Sequence, residues 1–310
     1  MDAPVDALDA DGAVNAAAPP AEGPGAARQR LVPPVDGRAL LKVAREGTRD
    51  RLADLYMRDP LRVLFPNTPA GEPLSAVLAT TSGGLVGGDR LEIEVRVGAG
   101  AQLQLVGQAA EKIYRSAGVD TRVELKLEAG PGALLELMPQ GTILYDGARL
   151  DRRVGVDAAA DAQVLTGEIV AFGRRAMGER FARGLLRDRW FVRRAGRLVW
   201  ADALVLEGDV AVALASPAGF AGAAACGTAI LLARAPEAAL ELARGLLEQA
   251  PREAGPQTVR SGASLVEGVL VARFLSADAA ALRRAFGRFW QGLRAGACGL
   301  PERLPTIWNV

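Results

Sequence analysis

VRVGAGAQL (residues 95–103) and LKLEAGPGALL (residues 125–135) lie about thirty residues apart and share one pattern: an alternating strand, a turn of small residues, then a second strand. VGVDAAADAQV (residues 154–164) repeats the pattern more loosely, with no glycine in its turn. Such a period is the mark of stacked β-layers that bury one another's faces. Ordinary hairpins in a β-sandwich are the alternative reading. Residues 92–97, 102–106, 122–127, 133–138 and 187–193 are short alternating or apolar runs bounded by glycine turns, so the chain reads as mainly β up to about residue 210.

Helices come late. Pro236 opens one over residues 237–249, with leucines at 240, 242, 246 and 247. Ser276 reads as the cap of a second, in which Leu282, Phe286, Phe289, Trp290 and Leu293 form one apolar stripe. Arg283, Arg284 and Arg288 fall on its solvated or partner-facing side. The expected fold is mainly β, a β-helix-like stack with a few α-helices, the main ones towards the C-terminus. Residues 1–32, rich in Ala, Pro and Gly, read as a disordered tail. Residues 33–310 read as a single domain, β-rich over 38–230 and mixed α/β over 231–310.

Composition narrows the function classes. A net charge of +1 gives no electrostatic case for nucleic acid or an anionic membrane. No apolar run reaches the roughly 18 residues of a membrane span. The first thirty residues lack a secretory signal, and Cys226 and Cys298 are isolated thiols, so a cytosolic, reducing environment is expected. The chain has no histidine. That removes Ser-His-Asp and Cys-His nucleophile systems and every metal site built on imidazole. Carboxylates, carbonyls, water and two thiols remain, ligands suited to weak or transient metal binding.

Four stretches concentrate charge within or beside glycine turns. In GGLVGGD (residues 83–89) the glycines Gly83, Gly84, Gly87 and Gly88 suggest a phosphate loop. No lysine and hydroxyl follow them, however, and the next residues alternate as a strand rather than opening a helix. A tight backbone feature is the better reading, with Asp89 held at a fixed point. QAAEKIYRS (residues 108–116) carries Glu111, Lys112, Tyr114 and Arg115; Lys112 is one of only three lysines, beside Lys42 and Lys126. Surface salt bridges at a strand end are its plain alternative. In PQGTILYDGAR (residues 139–149) Gln140 follows a strand-ending proline, and Asp146 is first of all the residue of a hairpin-type turn. GEIVAFGRRAMGERF (residues 167–181) sets Glu168, Arg174, Arg175 and Glu179 among glycines, which suggests a buried network or an interface.

Taken with LPTIWN (residues 304–309), these segments resemble, in order and spacing, the UreD (UreH) family of urease accessory proteins. The similarity runs from about residue 40 to the end and is densest over 83–181. It implies a non-enzymatic maturation factor with a β-helix-like stack. Its implied partners are the urease apoprotein, the helical protein UreF and, through UreF, the GTPase UreG. The implied cargo is Ni²⁺, held only transiently on an internal route to the urease site, with no tightly bound cofactor. Poor solubility alone and rescue by UreF are expected from exposed apolar surface. On this reading Asp89, Glu111, Asp146, Glu168 and Glu179 include the acids that pass a hydrated ion. The chain departs from the family pattern at Val106-Gly107, Leu137-Met138 and Gly141, which touches local polarity of such a route. A carboxylate-dependent glycosidase or lyase on a stacked β scaffold, using Asp146 and Glu168, is the alternative from another class.

Overall fold

A computed structural model describes residues 33–250 and 258–309 of the chain. The expected tail over residues 1–32 lies outside the described residues. The chain enters through a hairpin, β1 (Asp36–Glu46) and β2 (Arg49–Arg58), then β3 (Leu61–Leu64) and β4 (Leu74–Thr80). It then winds in coils. β5 (Arg90–Val97), β6 (Gln102–Gly107) and the short β7 (Glu111–Ile113) make one turn; β8 (Thr121–Ala129), β9 (Leu134–Met138) and β10 (Thr142–Leu144) make the next. β11 (Arg149–Ala158) and β12 (Gln163–Phe172) begin a third, and the hairpin β13 (Arg183–Arg194) and β14 (Arg197–Asp209) follows. The rest is α1 (Val210–Ala215), β15 (Ala225–Leu232), α2 (Pro236–Glu248), β16 (Val259–Val266), β17 (Val269–Ser276) and α3 (Ala279–Cys298).

Two sheets result, ordered β14-β13-β11-β8-β5-β1-β2 and β16-β17-β15-β12-β9-β6-β4-β3. Within the coils every neighbour is parallel: β5 with β8, β8 with β11, β6 with β9, and β9 with β12. Hairpins would have made these pairs antiparallel, so the stacked-layer reading holds. The loose third copy is a genuine coil, with Val154 beside Leu125 and Ala158 beside Ala129.

The small residues of the repeat sit at the corner where each coil turns from one sheet to the other. Ala101, Ala133 and Ala162 are fully buried and stack on one another's turns. Leu134 N–H donates to Ala101 O at 3.0 Å, and Gln163 N–H to Ala133 O at 2.9 Å. Gly100 and Gly132 turn the chain at φ of +67° and +65°. Asp161 takes that place in the third copy, and its Oδ1 accepts the Gly132 N–H at 3.0 Å. A larger side chain has nowhere to go at this corner. Ala133→Leu is expected to destabilise the fold by about 1–3 kcal/mol through overpacking, measurable by denaturant unfolding.

Side chains pointing between the sheets form one core, and those pointing from the second sheet towards α2 and α3 form another. The expected stripe Leu282, Phe286, Phe289, Trp290 and Leu293 is buried in the second. Its cap differs from the sequence reading. Ser276 is the last residue of β17, and Asp278 caps α3, its Oδ1 accepting from Ala280 and Ala281 N–H at 2.8 and 3.1 Å. Extended backbone at Ser276 leaves its hydroxyl to donate to Thr258 O and to accept from Asp278 N–H. Arg283 also departs from expectation: it is not a plain solvated arginine but is folded against the C-terminal turn Thr306–Asn309. It stacks on the Trp308 ring at 3.8 Å and donates to Trp308 O at 2.7 Å.

Candidate functional site

The strand alternation that builds the inter-sheet core also sends polar groups into it. In β12, Val164, Val170 and Phe172 pack into that core while Leu165 and Ile169 face the helices, so Glu168 shares the inward parity. In β11, Leu150, Val154 and Val156 share theirs with Arg152. Between the sheets lies a cavity of about 260 Å³, walled by Leu91, Ile93, Val123 and Leu125 and bordered by Gly83, Gly84, residues 107–113 and residues 139–142. A second cavity of about 550 Å³ shares residues 108–110 and 140–142 with it and reaches Ala279, Arg283 and Ile307.

A row of polar side chains runs along the stack axis beside the first cavity. Thr80 Oγ1 donates to Glu111 Oε2 at 2.7 Å. Glu111 is the register partner of Thr142 on the neighbouring strand. Thr142 Oγ1 lies 3.2 Å from Glu168 Oε1 and 3.2 Å from Arg152 Nη1. The same Nη1 donates to Glu168 Oε2. Arg152 then grips Asp188 on β13 with both remaining nitrogens, at 2.9 and 2.6 Å, and Trp190 Nε1 lies 3.3 Å from Asp188 Oδ2. Arg152 and Asp188 are each 6% exposed, so the pair is desolvated.

Burial dominates the electrostatics. It pushes the Glu168 carboxyl up to about 7, against the opposing pull of Arg152. Burial also raises Glu111, and the Thr80 hydroxyl only partly offsets it. Burial by itself would lower Arg152, but the charges of Asp188 and Glu168 outweigh it and its proton is held more tightly. Burial, with Asp188 and Glu168 adding to it, pushes the nearby Cys226 thiol up to about 12, so it stays neutral.

The other acids singled out in the sequence are engaged elsewhere. Asp89 is buried, and its carboxylate accepts from Val35 and Val86 N–H, both at 2.8 Å, closing the glycine turn. Asp146 sits where β10 turns into β11, at a coil corner and not in a hairpin, because the strands it joins belong to different faces of the stack. Its Oδ1 accepts from Ala182 and Arg183 N–H at 3.0 Å each. Glu179 pairs with Arg174 at 2.6 Å, and Arg174 lies 4.2 Å over the Tyr145 ring. Tyr145 meets Tyr114 edge-on, Tyr114 donates to Gly83 O at 2.9 Å, and Arg115 reaches Asp146. The densest motifs of the sequence therefore converge on one surface beside the cavity border. Gly84 has to be glycine there: at φ of +137° a Cβ would sit 2.5 Å from the Tyr114 ring and 2.8 Å from Lys112 O. Gly83, Gly87 and Gly88 complete that turn, and a Cβ on Gly87 would meet Ser116 Oγ and Val119 O. Gln140 lies between the cavities, donating to Ile307 O at 2.9 Å and receiving Arg283. Lys112 is exposed, and Arg175 donates to Gly222 O at 3.3 Å.

The UreD urease accessory protein profile matches residues 35–309. A UreD from Magnetococcus marinus is 47% identical over 276 residues, covering 89% of this chain and 94% of its own length. One from Methylobacterium sp. (strain 4-46) is 44% identical, with coverages of 85% and 90%.

The chain belongs to the UreD family.

UreD membership makes it a urease accessory protein, with a role in urease maturation alongside urease and other accessory proteins, and not a catalytic enzyme. The glycosidase or lyase alternative falls with that assignment. Among the described residues, no helix is long and apolar enough to cross a membrane. Within this UreD chain, sequence reasoning missed Arg152, Asp188 and Glu136. Asp188 read as a member of an ordinary alternating strand and Arg152 fell between the singled-out segments, and only the coil register brings them to Glu168. The signal for Glu136 was visible but unused: an acid in the middle of Leu134-Leu135-Glu136-Leu137, a wholly buried strand.

Proposed function

We propose that this chain carries Ni²⁺ through its inter-sheet cavity towards urease, docked on the urease apoprotein and on UreF, with UreG reached through UreF. The carrying observation is the polar row from Thr80 through Glu111 and Thr142 to Glu168, set among apolar walls. Two half-buried carboxylates and two hydroxyls suit a hydrated divalent ion that must move on, because oxygen ligands hold Ni²⁺ more weakly than imidazole or thiolate. Burial raises the Glu168 carboxyl, so a cation binding there competes with its proton. Of the five acids, Glu111 and Glu168 are the two that border this cavity, and they are the residues to which the passage is assigned. The reducing cytoplasm is the compartment this reading requires.

The test is co-expression of urease with its accessory proteins and either Glu111→Gln or Glu168→Gln. Nickel per urease active site, measured on purified enzyme, should fall at least about tenfold, the scale expected when a positioned charge is removed. Pull-down of urease and UreF should be unchanged. Full nickel loading in both variants would sink the assignment.

A further inference from the structure

Glu168 shares the space between the sheets with a cation that is itself locked in place. Arg152 cannot swing away: Asp188 holds its Nε and Nη2 in a two-pronged ion pair, and Thr142 and Glu168 share its Nη1. Asp188 is fixed in turn by the Trp190 indole. The charged and titratable groups that face one another here are Glu168 from β12, Arg152 from β11, Asp188 from β13 and the neutral Cys226 from β15. Asp188 is fully used by Arg152, so the guanidinium is the group with which any cation reaching Glu168 must compete. Among the described residues, no three acids or thiols are gathered as a metal-holding set.

We propose that Arg152 is a release residue: clamped by Asp188, it keeps a fixed positive charge against Glu168 so that a divalent cation reaching this carboxylate is not retained. This inference rests on the passage reading for its purpose, though the charge competition itself does not. Without the guanidinium, Glu168 and the Thr142 hydroxyl would border the cavity with no cation to balance the carboxylate. That oxygen-lined stretch would then hold Ni²⁺ longer, and the passage would become a trap. Lysine at 152 keeps the charge and should keep release, although it loses the two-pronged grip on Asp188.

The experiment measures nickel retained by the accessory complex itself, purified and dialysed against metal-buffered Ni²⁺. The variants are Arg152→Gln, Arg152→Lys and the neutral pair Arg152→Gln/Asp188→Asn, which avoids leaving Asp188 buried without its partner. Expected is a gain of at least about tenfold in nickel affinity for Arg152→Gln and for the double variant, and none for Arg152→Lys. Adding Glu168→Gln to either should abolish the gain. Unchanged affinity in the folded double variant overturns the proposal, as does a gain that survives Glu168→Gln. The passage reading fails separately: if Glu111→Gln and Glu168→Gln each leave urease fully loaded, Arg152 still opposes a cation at Glu168, but on no transport route.

Discussion

Replacing Arg294 with methionine is expected to cost about 3–5 kcal/mol of stability, the loss that follows when one partner of a buried ion pair is removed. Arg294 is fully buried on α3. Its Nε and Nη2 hold both oxygens of Glu136 at 2.8 and 3.0 Å, and Nη2 also reaches Glu72 at 2.6 Å. Its Nη1 donates to Arg303 O at 2.8 Å and to Pro301 O, so one guanidinium ties the second sheet, the loop before β4 and the chain after α3 together. Glu136, also fully buried, takes further bonds from Gln104 and Trp290. Arg294→Met would strand that carboxylate in the core. Denaturant unfolding should register the loss, and Arg294→Met/Glu136→Met should recover at least about half of it, because the stranded charge goes too. A double variant as unstable as the single one would refute this account.

Stability of the metal-free protein should also depend on pH through Glu168. Its carboxyl is raised from 4.5 in the unfolded chain to about 7 in the fold. The folded state therefore binds this proton more tightly, and the associated stabilisation is complete below about pH 4.5 and is lost as pH rises through about 7. Across that window, the unfolding free energy of wild type relative to Glu168→Gln should fall by about 3 kcal/mol, because each tenfold difference in proton affinity between the two states is worth about 1.4 kcal/mol. Paired denaturant titrations at pH 5 and pH 8 test it. An equal difference at both would mean that Arg152 keeps the carboxylate ionised throughout.

The coil repeat was legible in the sequence because its corners are sterically restrictive. Only small residues fit at Ala101, Ala133 and Ala162, and glycine is favoured where φ is positive, so the turns carry a visible signature. The C-terminal helices were legible from their apolar stripe. The cap of α3 was misplaced by two residues, since Ser276 and Asp278 are equally good caps locally and only the length of β17 decides between them. The site was legible in part. Glu111 and Glu168 stand out as charges in glycine-flanked segments, but so do Asp89, Asp146 and Glu179, and the two groups differ only in what their carboxylates meet. Asp89 and Asp146 each accept two backbone N–H groups from residues brought close by the turns, an outcome set by backbone path. The links from Glu168 to Arg152 and from Glu136 to Arg294 span 16 and 158 residues and depend on register between coils and on helix docking.

Parallel coiling has one further effect, on which changes of length this chain can absorb. Glu111, Thr142 and Glu168 belong to one row because three strands from different turns are held in step by the hydrogen bonds between them. A single residue inserted into β12 before Glu168 would reverse the facing of that segment, turning its carboxylate towards α3 and Ile169 towards the cavity. An insertion at the surface turn around Gly118, where a Cβ would meet open space, leaves every facing intact. Length variation among working versions of this protein should therefore collect at such outer turns and be nearly absent from the strands that carry the row.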